Sequence, residues 1–169
     1  TYLDPQGKPY TYGDGAPFVR RKLKTGSDPK YLTPTGAGNR PYFSPLLPKG
    51  YLEGTKPLLI TEGEKKADAL TAHGFPCVGL TGVWGWKDRR GETSAPIPEL
   101  AEINRSRPIN IVFDSDVVIK SQVLDALWAL AKWIRGPKEN GVSYTRGDLP
   151  NVMFLPSEPV SYTHLRAHE

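Results

Sequence analysis

Cysteine and histidine are nearly absent from this chain: one cysteine, Cys77, and three histidines, His73, His164 and His168, in 169 residues. A single thiol excludes an internal disulfide. A zinc site built from Cys and His needs about four such ligands, so any bound metal must be held by oxygen, which suits magnesium or manganese. Long apolar runs are lacking too. Nothing approaches the roughly 20 residues that span a bilayer, and the N-terminus has no basic-then-apolar signal pattern. The sequence therefore predicts a cytoplasmic protein. No G-x-x-x-x-G-K-S/T motif occurs, so ATP-driven helicase activity is not encoded in these residues.

What is present fits a soluble globular chain, with 38% hydrophobic and 24% charged residues. The length suits one modest domain with an appendage. Charge is uneven along it. Residues 1–56 carry nine Lys/Arg against four Asp/Glu, and residues 57–169 carry thirteen against fourteen. A basic front segment beside a near-neutral body points toward a polyanionic partner. That front segment is also rich in turn formers, with eight prolines and seven glycines in residues 1–50. Proline interrupts every window, so short strands, hairpins or irregular loops are expected and a packed helix is not.

The chain starts on Thr1 rather than Met, as a piece of a longer protein does. Its last ten residues, VSYTHLRAHE, resemble the translated read-through of a sequencing-library adapter. The expected division is a basic Pro/Gly-rich segment over 1–55, a folded domain over 56–159 cut off at its C-terminus, and a non-native tail over 160–169.

From Lys56 the pattern changes. LLIT (58–61) has the look of a buried strand, and Gly63 permits a sharp turn. EKKADALTAHG (64–74) carries good helix formers and a C-terminal glycine, with His73 in a capping position. PCVGLTG (76–82) is a second strand, with Cys77 in its core, and 82–96 is a loop. PELAEINRS (98–106) reads as a short helix, and PINIVFDSD (108–116) is the clearest buried strand. SQVLDALWALAKWI (121–134) is an amphipathic helix with Val123, Leu127, Leu130 and Ile134 on one stripe, and Trp128 and Trp133 as packing residues. NVMFLP (151–156) is a last strand. Such alternation predicts an α/β fold with a parallel sheet, flanking helices and right-handed crossovers.

Sites in open parallel sheets form at the carboxyl ends of strands, and two of these strands end in acid. LLIT runs into Glu62 and Gly63, and INIVF runs into Asp114, Ser115 and Asp116. Residues two apart in extended chain point the same way, so Asp114 and Asp116 face one site, and Glu62 joins them if the strands are neighbours. Three carboxylates in one crevice require a cation or a proton. Magnesium, which also grips phosphates, suits the set, and metal-assisted phosphoryl transfer uses this arrangement.

TEGEKKADAL (61–70) and VFDSD (112–116) resemble the two signature motifs of the toprim fold, a Rossmann-like parallel sheet. With GLTGVWGW (79–86) between them, they are similar to an uncharacterised toprim-like family found in phage and plasmid replication proteins, often beside a primase or helicase module. The resemblance covers about residues 56–156. It implies Glu62 as general acid/base or metal-binding residue, Asp114 and Asp116 as ligands to Mg2+ or Mn2+, and nucleic acid (a single strand or a primer–template) as partner. A further acidic pair common after the family's last strand would fall where the adapter-like tail begins, and is missing.

Around this set, Lys65 and Lys66 either touch phosphates or form a solvated helix face. Glu64 is either a second acid or a first-turn carboxylate favoured by the helix dipole. Trp84 and Trp86 either stack on bases or close the loop by packing, and Lys87, Arg89 and Arg90 make that loop a candidate phosphate contact. Arg20, Arg21, Lys22 and Lys24, interleaved with Phe18 and Leu23, are either a nucleic-acid face or a charged hairpin edge. Two other functions stay open. IVFDSDVV (111–118) resembles the first motif of haloacid-dehalogenase phosphatases, with Asp114 as nucleophile. A toprim shell that binds nucleic acid without catalysis is the third.

Overall fold

The computed structural model describes residues 1–29, 31–88, 95–114 and 121–136 in full, and residues 151–155 as backbone. Two short antiparallel ribbons open the chain: β1 (Thr11–Tyr12) with β2 (Ala16–Pro17), and β3 (Arg21–Lys22) with β4 (Tyr31–Leu32). The elements that follow are β5 (Tyr42–Phe43), a 3-10 turn (Tyr51–Glu53), β6 (Leu58–Glu62), α1 (Glu64–Ala72), β7 (Cys77–Leu80), β8 (Lys87–Asp88), β9 (Ala95–Pro96), α2 (Pro98–Ala101), β10 (Ile109–Asp114), α3 (Ser121–Arg135) and β11 (Asn151–Leu155). The adapter-like tail lies outside the described residues.

One five-stranded sheet organises the molecule, in the order β11-β10-β6-β7-β5. β6, β7, β10 and β11 run parallel, and β5 pairs antiparallel with β7 through Tyr42↔Gly79 and Phe43↔Val78. The sheet is therefore mixed α/β rather than wholly parallel, and its antiparallel edge comes from the Pro/Gly-rich front segment. Two residues leave too little pattern to announce a strand; the pairing is set by what Phe43 buries, not by local propensity.

The pleat sorts the parallel strands onto two faces. Leu58, Ile60, Val78, Leu80, Ile109, Ile111 and Phe113 form the main core with Ile97 and Leu100 around α2 and Leu127, Leu130 and Ile134 of α3. The stripe expected on α3 is thus the buried one, with Val123 partly covered. Leu59, Cys77 and Val112 face the other way, against Ala67 of α1. Helices on both faces follow from right-handed crossovers running in opposite directions from β6.

Two expectations change in the 82–106 stretch. Lys87–Asp88 and Ala95–Pro96 form a two-residue ribbon where a loop was expected. The helix expected over 98–106 stops at Ala101. Asn104 explains the stop: its carboxamide oxygen accepts the Ser106 amide, its backbone N–H donates to Leu52 O, and its side-chain nitrogen donates to Gly54 O. An Asx turn of this kind competes with helix. Arg107 completes the tie by donating to the carbonyls of Lys56, Tyr51 and Leu52.

Gly79 is fixed by close approach. A Cβ there would meet Gly63 O at 2.9 Å and the Cβ atoms of Ala67 and Tyr42 at 3.3 Å. The first of these is backbone and cannot swing aside. Gly79→Ala is expected to lower stability by about 1–3 kcal/mol, as overpacking does, read as a drop in urea midpoint. An unchanged midpoint would show that β7 and α1 can separate freely.

Candidate functional site

The strand order creates a switch point. The chain leaves β6 to build β7 on one side, then returns to build β10 on the other. Crevices outside the carboxyl ends of the strands at such a point are where open α/β sheets bind ligands. β6 and β10 pair through Ile109↔Leu58 to Val112↔Thr61. Their ends, Glu62 and Asp114, therefore lie at the same edge, on either side of the switch point.

Gly63 makes this edge. It adopts φ 81 and ψ 151, caps α1, and donates its N–H to Leu80 O at 2.7 Å. A Cβ-bearing residue adopts this backbone only with strain. The turn drops α1 directly behind Glu62. Glu62 pairs with Leu80 on the side of the sheet that carries Ile60, and it is half-buried. Asp114 lies on the α1 side, where Lys66 Nζ sits 2.5 Å from its Oδ1. The pleat thus sets the two acids on alternate sides of one edge. Both partners of the Lys66–Asp114 pair are about a third to a half exposed (34% and 48% of their side chains), so it contributes at most about 1 kcal/mol. Thr61, fully buried beside Glu62, has a hydroxyl with no hydrogen-bond partner among the described residues.

Asp116 lies outside the described residues, as do Arg89 and Arg90. Among the described residues no three His, Cys, Asp or Glu side chains form a group able to hold a metal ion. No described helix is long and apolar enough to cross a membrane.

The remaining candidates divide cleanly. Lys65 points into solvent, whereas Lys66 turns to Asp114. Trp86 is only 4% exposed and stacks on Trp133, with ring centroids 5.8 Å apart and planes 28° from parallel. Trp84 is half-buried, and the Lys87 ammonium lies 4.5 Å from its ring centre and 5.0 Å from that of Trp86. Trp86 is thus occupied by packing, and Trp84 and Lys87 form a half-open cation–π pair after β7. The loop leaves from the same edge as Glu62, because β7 is parallel to β6.

The family model described as Domain of unknown function (DUF3854) matches residues 51–146. The chain belongs to the DUF3854 family. The match takes in Glu62, Gly63, Lys66, Trp84, Trp86, Lys87 and Asp114. No curated protein and no solved structure matches the chain.

Residues 1–50 lie outside the DUF3854 match, yet they clamp its first helix. The Tyr2 hydroxyl donates to Glu64 Oε1 at 2.5 Å, and Arg20 Nη1 reaches the same oxygen at 2.7 Å. One turn later, Asp68 accepts from the Tyr42 hydroxyl at 3.0 Å and from Ser44 Oγ at 2.7 Å. Glu64 and Asp68 lie four residues apart, so both face the front segment. Beneath them Tyr2, Phe18 and Ala37 form a small core with Tyr10, Tyr12 and Tyr42 around it. Glu64 is thus a first-turn carboxylate with a structural partner. Only the spacing of the two acids and the aromatic interleaving of 1–50 signalled this.

Burial would raise the Glu64 carboxyl, but the hydrogen bonds from Tyr2 and Arg20, with Arg20's charge, outweigh it and hold the group below its ordinary value. Burial and the neighbouring carboxylates push the Tyr2 and Tyr42 phenols well above theirs. A carboxyl with a lowered folded pKa stabilises above its unfolded value, about 4.3, and that contribution is lost as pH falls through the folded pKa. Glu64→Gln is therefore expected to cost about 2 kcal/mol at pH 7, the scale of a charge-assisted hydrogen bond. The gap between variant and wild type should begin to narrow near the unfolded value and close as pH falls through the lower folded one. Urea melts across this range check this; a gap that stays constant with pH would rule out the charged clamp.

Proposed function

We propose that this chain is a magnesium-dependent phosphoryl- or nucleotidyl-transfer module acting on nucleic acid, of toprim kind, from a primase-associated replication protein of a phage or plasmid. The observation that carries the reading is the pair of acidic strand ends, Glu62 and Asp114, flanking the switch point of a largely parallel sheet. The motif resemblance of 61–70 and 112–116 supplies the reaction class and the replication setting.

The donor set fits a hard cation. Glu62 and Asp114 offer carboxylate oxygens at a half-open edge, and the one thiol, Cys77, is buried with its pKa pushed up to about 12. Asp114, with Asp116, would hold the ion, which leaves Glu62 as a base on the other side of the edge; when bound, the ion supplies a Lewis acid for phosphate oxygens. Lys66 already neutralises Asp114 and stands next to any phosphate bound at this edge. Glu62 accepts the proton of the attacking hydroxyl, and Gly63 keeps α1 from covering it. Trp84 and Lys87 offer a ring and a charge to a nucleotide arriving at the same edge.

A second reading has its own support. Lys66 satisfies Asp114 without a metal, which suits a module that binds nucleic acid and does no chemistry. Manganese titration followed by NMR line broadening separates the two. Selective broadening around Glu62, Gly63 and Asp114 supports the metal-dependent reading. Uniform or absent broadening in a folded sample sinks it and moves the binding module ahead.

A further inference from the structure

The front segment carries a groove of about 360 Å³ between its two ribbons. Its floor is apolar, from Tyr12, Pro17, Val19 and Leu32, and Arg21 stands on its rim. Leu32 is 47% exposed, and the exposed Arg21 is its partner across the ribbon. Among the described residues no acidic side chain lines the groove. Successive strand residues point to opposite sides, which splits two neighbouring arginines. Arg20 turns inward, stacks on Tyr31 at 4.2 Å and pairs with Glu64, while Arg21 turns outward to the groove.

We infer that this groove is a binding site for single-stranded nucleic acid. Arg21 meets a phosphate, and the tyrosine and proline faces receive bases without regard to sequence. The groove is too small for a duplex. Its apolar floor gives planar bases an area of contact that a string of acidic side chains would leave unused. The Arg20–Glu64 and Tyr2–Glu64 bonds fix the segment to the first turn of α1, two residues beyond Glu62. A strand held in the groove is thereby anchored to the edge where Glu62 and Asp114 end their strands. The inference deepens the proposed function but does not depend on catalysis.

The test is fluorescence anisotropy of a fluorescein-labelled oligo(dT) with the full chain in EDTA. Arg21→Glu should weaken binding about tenfold and lower its salt slope by about one, because a phosphate contact is lost and a negative charge takes its place. Lys49→Glu makes the same change in net charge at an exposed site away from the groove and should leave affinity within about twofold if the contact is local. Equal losses in both variants, or no binding by the wild type, overturn the groove. So does poly-glutamate competing as well as unlabelled oligo(dT). Weakening by Asp114→Asn but not by Arg21→Glu also overturns it, while leaving the proposed function standing.

Discussion

Asp114→Asn is expected to abolish the selective broadening that Mn2+ produces around Glu62 and Gly63, lowering affinity for the ion by about 100-fold or more. Removal of groups that merely support a ligand already costs about 10–100-fold, and Asp114 would be a ligand itself. The substitution is close to isosteric and keeps an oxygen for Lys66 to donate to. That pair is too exposed to hold the fold: its loss costs at most about 1 kcal/mol. Metal response and stability should therefore separate, with urea midpoint nearly unchanged. Lys66→Ala provides the complement, since it removes the competing ammonium at 2.5 Å; it should leave metal affinity equal or higher. If Asp114→Asn binds manganese as wild type does, the acidic edge is no metal site. If Lys66→Ala destroys the response as fully as Asp114→Asn, Lys66 supports the site rather than competing for it.

The parts of this site that were legible in the sequence are those with a local cause. β6 and β10 are short apolar runs ending in acid, Gly63 must turn sharply between a strand and a helix, and α3 repeats its apolar residues with the helical period. Each is fixed by neighbours within a few positions. The clamp on α1 is not: Glu64 meets Tyr2 and Arg20, 62 and 44 residues away, and from its own surroundings it shows only a favourable place in a helix dipole. Trp133 illustrates the same limit. At about 100° per residue, Trp128 and Trp133 cannot share a face, and Trp128 is 38% exposed while Trp133 stacks on Trp86. Sequence spacing identified aromatic residues on the helix, but the choice of which to bury was made by a loop far along the chain. β5 is the extreme case, a strand with no pattern of its own whose pairing is written in its partner, at Gly79.

The same reasoning makes the segment matched by the DUF3854 family insufficient alone. Residues 51–169, expressed without the first fifty, are expected to lose the native fold. Three losses combine. Phe43, 3% exposed in the main core, leaves a cavity, and truncating a buried Phe costs about 3–5 kcal/mol. Asp68 loses the Tyr42 and Ser44 hydroxyls, and Glu64 loses Tyr2 and Arg20; hydrogen bonds to charged groups are worth about 1.5–3 kcal/mol each before water replaces them. The edge of β7, with its backbone groups opposite Tyr42 and Phe43, becomes an unpaired template for aggregation. Set against a total stability of about 5–15 kcal/mol for an ordinary domain, those terms are large enough to unfold it. Protease resistance and amide dispersion of the 51–169 fragment decide the matter. A collapsed spectrum, restored when residues 1–50 are added back in the same chain, would establish the front segment as part of the fold. A well-dispersed spectrum from the fragment would mean that the clamp positions the segment without holding up the sheet.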